Sequence, residues 1–291
     1  MKHWLQIFRA KDYIKNILLF FPAFFGGSII VSNHLYLLTA SFFIFSLLAS
    51  AVYILNDLFD IRFDIRHPQK RYKPLAAQKI STGTCVIIVI ALLSVAFIGA
   101  YFVSLSLLCY CLLYLAINLI YSAFGKHIPF LDLLLITTGF LLRLQSGAVV
   151  SNTPISWWLY AMIILLALGF GLAKRLEEIN LLVLHGIPFF EVRPSLKFYA
   201  KMNVQQGIIL IIIIAVSCYS CYTLNPDTIA RLGSSFVFVT CLPVWLGAYS
   251  YIRLITEGKK SIAPQTVLKE NTSIQLSLLC WLILMAYFIY H

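Results

Sequence analysis

The chain has 291 residues, 61% of them hydrophobic and only 11% charged, with a formal net charge of +11. Soluble domains carry about a quarter of their residues as charges, so this composition excludes an ordinary water-soluble enzyme and marks an integral membrane protein. A nucleic-acid partner is excluded as well, because the bases are divided among short loops and form no continuous basic face with stacking aromatics.

Apolar runs long enough to cross a hydrocarbon core, about 20 residues each, fall near residues 14–31, 35–55, 84–103, 105–123, 131–150, 157–173, 204–223, 234–252 and 273–290. They predict an all-α membrane protein, a bundle of nine transmembrane helices in a single domain over residues 1–291. The first run is too long, and too poor in a small-residue cleavage site, to be a removable signal peptide. Only Ser32, Asn33 and His34 separate it from the second run, which predicts a tight helical hairpin.

Alternate loops collect nearly all the bases: Lys2, Arg9, Lys11 and Lys15; then 62–79; then Lys126; then Lys174, Arg175, Arg193, Lys197 and Lys201; then Arg253, Lys259, Lys260 and Lys269. The opposite side has only Arg231. The positive-inside rule then places the N-terminus and the charged loops in the cytoplasm and the C-terminus across the membrane, as in a bacterial inner membrane. Anionic lipid headgroups account for much of the positive charge. Cys218 and Cys221 form a C-x-x-C inside a predicted span, where cysteine acts as a small hydrophobe.

The second run ends at Leu55 and continues as Asn56-Asp57-Leu58-Phe59-Asp60-Ile61-Arg62-Phe63-Asp64, so three of the chain's eleven carboxylates fall within nine residues. On a helix, at about 100° per residue, Asp57, Asp60 and Asp64 share a stripe roughly 60° wide with Asn56 beside it. Carboxylates that close repel one another unless a cation sits among them. Oxygen-only ligands suit Mg²⁺, which keeps several waters and is completed by substrate phosphates. The bases that follow, Arg66, Lys70, Arg71 and Lys73, would meet the phosphate oxygens that the metal leaves uncovered. A solvated loop with acids merely balancing bases has no need of this helical register.

This motif resembles the first aspartate motif of the UbiA superfamily of intramembrane prenyltransferases. In finer detail, His67-Pro68-x-Lys70-Arg71-x-Lys73-Pro74-Leu75-Ala76-Ala77 resembles its polyprenyl-phosphate phosphoribosyltransferase branch, with Lys73 where that branch usually has arginine. The resemblance implies a helical bundle around a cavity open to the cytoplasm, with Asp57, Asp60 and Asp64 as catalytic metal ligands supported by Asn56.

The same branch is resembled elsewhere. At the foot of the first run, Lys15 and Asn16 match a basic residue and an Asn, whereas Lys2 and Arg9 read as orientation signals. Tyr121, Lys126 and Asp132 match a Tyr-Ser-x-x-x-Lys-x-x-Pro-x-x-Asp pattern, and Gly139, Arg143 and Gly147 match within the fifth run. A charge at the depth of Arg143 costs about 2.5–3.5 kcal/mol unless paired or facing a polar cavity. Asp132 lies about three turns away on the same face, so Arg143 is either structural, in an ion pair or on backbone carbonyls, or, as the resemblance favours, an anion-binding group on the cavity floor. Lys174-Arg175-x-x-Glu178 also matches the branch, at a place where aromatic prenyltransferases of the superfamily carry a second aspartate-rich motif. Arg193-Pro194-x-Leu196-x-x-Tyr199 matches too, although an amphipathic loop lying on headgroups has the same composition. The match is weakest over 253–271.

The function this implies is Mg²⁺-dependent transfer of 5-phosphoribose from phosphoribosyl diphosphate to a polyprenyl phosphate, releasing pyrophosphate, for cell-envelope glycan synthesis. In that reaction Lys70, Arg71 and Lys73 neutralise the leaving group. Lys15, Tyr121, Lys126, Asp132, Arg143, Lys174, Arg175, Glu178 and Arg193 line the substrate and phosphate sites. The rival is an aromatic prenyltransferase joining a prenyl diphosphate to an acceptor such as 4-hydroxybenzoate. A non-catalytic transporter would instead place its ionisable groups near the membrane midplane.

Overall fold

The computed structural model describes residues 6–257 and 264–291; Lys2, Lys259 and Lys260, counted above among the cytoplasmic bases, lie outside them. The described structure is helical throughout, and eight helices are long and apolar enough to cross a membrane. They are α1 (Ser32–Arg66), α2 (Thr82–Val103), α3 (Leu105–Ala123), α4 (Leu131–Val150), α5 (Trp157–Leu184), α6 (Val204–Leu224), α7 (Cys241–Thr256, entered through a 3-10 turn, Ser235–Thr240) and α8 (Thr272–Tyr290). The first of the nine expected runs takes another form: 3-10 helix over Ala10–Phe20, then a short α-helix, Phe21–Phe25. Because a 3-10 helix rises about 2.0 Å per residue against 1.5 Å in an α-helix, these residues still extend about 30 Å.

The chain packs into two compact units, one of residues up to 155 with Leu182–Lys197, the other of Ser156–Leu181 with Phe198–His291. In the first, Phe45, Leu48 and Val52 of α1 pack with Leu19 of the N-terminal 3-10 helix, Ala96 and Ala100 of α2, Tyr114 of α3 and Leu142 of α4. A second cluster joins Ala51 and Ile54 of α1 to Leu75, Ile80, Cys85 and Val89. It anchors the loop between α1 and α2, which Ser81 ends by capping α2 through Thr84 N (3.1 Å).

Polar groups buried at membrane depth must find partners inside the protein. Asn16 and Arg143 do so together. Arg143 donates from Nε to Asn16 Oδ1 (2.8 Å), from Nη1 to the Gly139 carbonyl (2.8 Å) and from Nη2 to the Tyr114 hydroxyl (2.6 Å), with its guanidinium 4.6 Å from the Tyr114 ring centroid. Asn16 in turn donates to Ser46 Oγ of α1 (3.0 Å). One side chain thus ties the N-terminal helix, α3 and α4. One turn further along α4, Gly147 lies so close to Leu19 that a Cβ would overlap its carbonyl. Of the structural alternatives, Arg143 takes the backbone carbonyl and not the ion pair with Asp132. Asp132 Oδ1 instead accepts the Leu133 N–H in the first turn of α4 (2.9 Å), where a helix N-terminus favours a carboxylate.

In the second unit, Tyr219 of α6 is a buried junction: its hydroxyl accepts from Trp281 Nε1 of α8 (2.7 Å) and bonds Thr240 Oγ1 (2.7 Å). Asn225 caps the helix Pro226–Leu232, accepting from Asp227 N at 2.9 Å. Outward faces are apolar; Ile87, Phe102, Leu242 and Ile283 are all more than half exposed, a surface suited to lipid. All seven cysteines are free thiols, Cys218 and Cys221 included.

Candidate active site

The last turns of α1 carry the acidic motif. Asp57 and Asp64 are buried, at 5% and 4% exposed. Being seven residues apart, they lie within about 20° on the helix, while Asp60 is offset by about 40–60°, and the structure separates them accordingly. Lys73 Nζ bridges the aligned pair, at 2.8 Å from Asp57 Oδ1 and 2.6 Å from Asp64 Oδ2. Arg9 Nη2 also donates to Asp57 Oδ1. Asp60 turns to the other side, where Lys126 Nζ donates to its Oδ1 and Asn56 Nδ2 to its Oδ2 (3.1 Å). Asn56 is itself oriented by Ser122 Oγ of α3, which donates to Asn56 Oδ1 at 3.1 Å.

The basic loop is held by its own backbone. His67 is buried and its Nδ1 accepts from the Gln69 and Lys70 N–H groups (3.2 and 3.1 Å), which starts the 3-10 turn Lys70–Tyr72. Lys73 N then donates to the Lys70 carbonyl (2.9 Å) and Ala77 N to that of Lys73 (2.9 Å). Lys73 is therefore aimed at α1 by a hydrogen-bonded turn whose far end is buried through Leu75. Arg71 points elsewhere, donating to and lying over Tyr72, and so stands apart from the acids.

Asp60, Asp64, Lys70, Lys126, His127 and Arg193, with Phe63 and Val192, line a small, partly open pocket. Lys126 is 2% exposed, and the Ser195 hydroxyl donates to its carbonyl (2.9 Å), so the Arg193 segment packs on the Gly125–His127 turn. Arg193 Nη2 donates to the Tyr121 hydroxyl (3.0 Å). His127 lies against Phe63, its ring centroid 5.5 Å away, and its Nδ1 is buried with no hydrogen-bond partner among the described residues. Burial, reinforced by Lys126 and Arg193, pushes its imidazole below the usual range and keeps it neutral at physiological pH. Three bases against two acids give this pocket a net positive lining.

Most of the first unit's expected site residues are thus gathered in one place: Asn56, Asp57, Asp60, Asp64, Lys70, Lys73, Tyr121, Lys126 and Arg193. Lys15 lies near them, paired with Asp12 (2.6 Å) and 3.3 Å from the Tyr53 hydroxyl. Asp132 and Arg143 are absorbed in the helix contacts described above. Lys174, Arg175 and Glu178 belong to the second unit, where Arg175 pairs with Glu178 at 3.3 Å. Four participants were not anticipated: Arg9, Tyr53, His127 and Ser195. Arg9 has left-handed backbone (φ 48°), which costs a non-glycine residue about 1–2 kcal/mol, and its guanidinium lies 5.0 Å from the Tyr53 centroid. Nothing near Arg9 in sequence points to Asp57, 48 residues away.

The donor set fits a divalent cation. An ammonium bridging Asp57 and Asp64 already stands where a cation is wanted, and the remaining oxygens, Asp57 Oδ2 and Asp64 Oδ1, have no protein hydrogen bond among the described residues. Among those residues no cluster of three or more acids, histidines or cysteines is gathered on one point. Two carboxylates, with waters and phosphate oxygens completing the shell, is the manner in which Mg²⁺ is usually held.

An acidic row at the end of a long helix, ringed by lysines and arginines in a polytopic helical membrane protein, marks an intramembrane transferase. More particularly, the chain belongs to the UbiA prenyltransferase family, whose model matches residues 18–273. It is 26% identical to a decaprenyl-phosphate phosphoribosyltransferase of Corynebacterium glutamicum, over 98% of this chain and 86% of that protein. It is also 26% identical to the enzyme of the same name from Mycobacterium tuberculosis, over 96% and 91%. Among solved structures, a UbiA homolog from Archaeoglobus fulgidus bound to GPP and Mg²⁺ superposes with a TM-score of 0.67 at 18% identity, covering 99% of this chain and 96% of that one, which shows the common fold.

Proposed function

We propose that the chain transfers 5-phosphoribose from phosphoribosyl diphosphate to a polyprenyl phosphate. The observation that carries this reading is the excess of cations about a single acidic row: each motif carboxylate has a lysine or arginine on it, and Lys70 and Arg193 line the adjoining cavity. Such a site suits a reaction in which donor and acceptor both carry phosphate. Near full-length likeness to two decaprenyl-phosphate phosphoribosyltransferases supports it.

In the proposed reaction a phosphate oxygen of the lipid forms a bond to the anomeric carbon as the bond from that carbon to the diphosphate breaks, and pyrophosphate leaves with the electron pair. The lipid phosphate is already ionised near neutral pH, so no strong general base is required. Asp57 and Asp64 would hold Mg²⁺, which would supply charge neutralisation for the diphosphate, while Asp60 keeps Lys126 in place. Lys70 and Lys73 bind the leaving group, and Lys126, Arg193 and Tyr121 form the wall that receives the soluble donor's phosphates. Lys174, Arg175 and Glu178 of the second unit are assigned phosphate binding by the sequence resemblance alone. Charge-assisted contacts of this kind act by meeting charge that grows in the transition state. We place this chemistry on the cytoplasmic side of a bacterial inner membrane, from the distribution of Lys and Arg.

The test is a transfer assay with purified protein in detergent and Mg²⁺, offering labelled phosphoribosyl diphosphate with polyprenyl phosphate in one tube and labelled 4-hydroxybenzoate with polyprenyl diphosphate in another. Label should enter the lipid phase only in the first, and transfer confined to the second would restore aromatic prenylation. A companion experiment weighs the loop after α5. Glu177→Gln should retain transfer within about threefold, while Lys174→Met and Arg175→Gln each lower it by about tenfold or more, the worth of a hydrogen bond to a charged group. A second carboxylate clamp for two metals would reverse that order.

A further inference from the structure

Lys73 sits where two kinds of ligand must meet. It bridges Asp57 and Asp64 and is aimed there by a backbone turn, yet its place in the basic loop also puts it beside any diphosphate bound to those acids. A cation entering between the two carboxylates must displace the ammonium, and an ammonium displaced from these two buried acids is best satisfied by a new anion beside them. Arg9 on Asp57 and Lys126 on Asp60 face the same exchange.

We propose that Lys73 is a positioning residue with two successive partners, a counter-ion to Asp57 and Asp64 before substrate arrives and a ligand of the diphosphate once a divalent cation has taken its place. This inference rests on the phosphoribosyl-diphosphate reading only for the identity of the diphosphate. Its consequence is coupling: metal alone competes with the lysine and binds weakly, whereas metal and diphosphate together satisfy all three charges and favour each other. By reciprocity the diphosphate strengthens metal binding as much as metal strengthens diphosphate binding. The arrangement also keeps the motif's carboxylates neutralised while the site waits for its substrate.

The exchange predicts opposite signs for one substitution. Without substrate, purified Lys73→Met should bind Mn²⁺, followed through the paramagnetic signal of the free ion, about tenfold more tightly than the native protein, since a neighbouring charge of this kind shifts ion affinity by at least that much. Lys73→Arg, which keeps the cation, should bind it as weakly as the native chain. In a melting experiment Mg²⁺ with inorganic pyrophosphate should stabilise the native protein beyond Mg²⁺ alone, and that increment should vanish in Lys73→Met. Unchanged or weaker Mn²⁺ binding in Lys73→Met, or an undiminished pyrophosphate increment, overturns the proposal. Should Lys73→Met fail to fold, Lys73→Gln, which removes the charge but keeps a hydrogen-bonding side chain, is judged by the same Mn²⁺ criterion. Neither readout uses a ribosyl donor, so a failed transfer assay and a failed exchange are separate results.

Discussion

Asp57→Asn is expected to reduce transfer by about three orders of magnitude, with the protein still folded. The loss follows from removing one of the two carboxylates bridged by Lys73, and with it several kcal/mol of leaving-group stabilisation at about 1.4 kcal/mol per factor of ten. Folding should survive because Lys73 keeps Asp64 and because the amide occupies the same volume beside Arg9. The pair of measurements that checks this is turnover in the labelled assay and the melting temperature of the purified variant. A variant with near-native turnover would remove Asp57 from the chemistry and leave it a structural partner of Arg9.

Gly147→Val is expected to be the most damaging single change in the first unit's helix packing. The Cβ would overlap the Leu19 carbonyl, which is backbone and cannot rotate away, so the N-terminal helix must retreat from α4. That retreat pulls on the Asn16 contact to Arg143, one turn from the clash. Overpacking of this kind costs about 3 kcal/mol, or roughly a 5 °C fall in melting temperature for a chain of this size. Gly207→Ala is the control: its nearest neighbour beyond α6 would be Leu172 Cδ1 at 3.8 Å, an ordinary contact, and the gain in helix propensity makes it neutral or slightly stabilising. Equal melting temperatures for the two variants would show that the close approach is not what holds α4 in place.

The parts of this molecule that were legible from sequence are those governed by local period. Eight long apolar runs became eight long helices, and the acidic stripe came through because spacing on a helix determines angular position. The same angles, taken more finely, account for the division of labour that the stripe alone conceals, with Asp57 and Asp64 sharing one cation while Asp60 faces another. What was not legible depends on close approach between distant segments. The 3-10 form of Ala10–Phe20 has no period of its own to announce it, and it lies against α4 only because residue 147 lacks a side chain. Arg9 looked like a simple orientation signal, since its value comes from Asp57 and Tyr53. Arg143 was correctly singled out as costly, but its partners, an amide, a carbonyl and a phenol, are neutral groups that no charge count selects.

The length of α1 also determines where the chemistry takes place. Its 35 residues extend about 52 Å, against a hydrocarbon core of about 30 Å, and its apolar part ends at Leu55, one residue before the motif begins. The helix is in effect a depth gauge: the acids stand at the level of the headgroups, the depth at which a phosphate on a long isoprenoid chain rests of its own accord. Drawing such a chain into water would cost about 0.8 kcal/mol for every methylene exposed, so even ten carbons would add about 8 kcal/mol to the barrier. Under the proposed function, an acidic row held at the phosphate's resting depth would leave the hydrocarbon tail undisturbed, and only the water-soluble donor would have to travel.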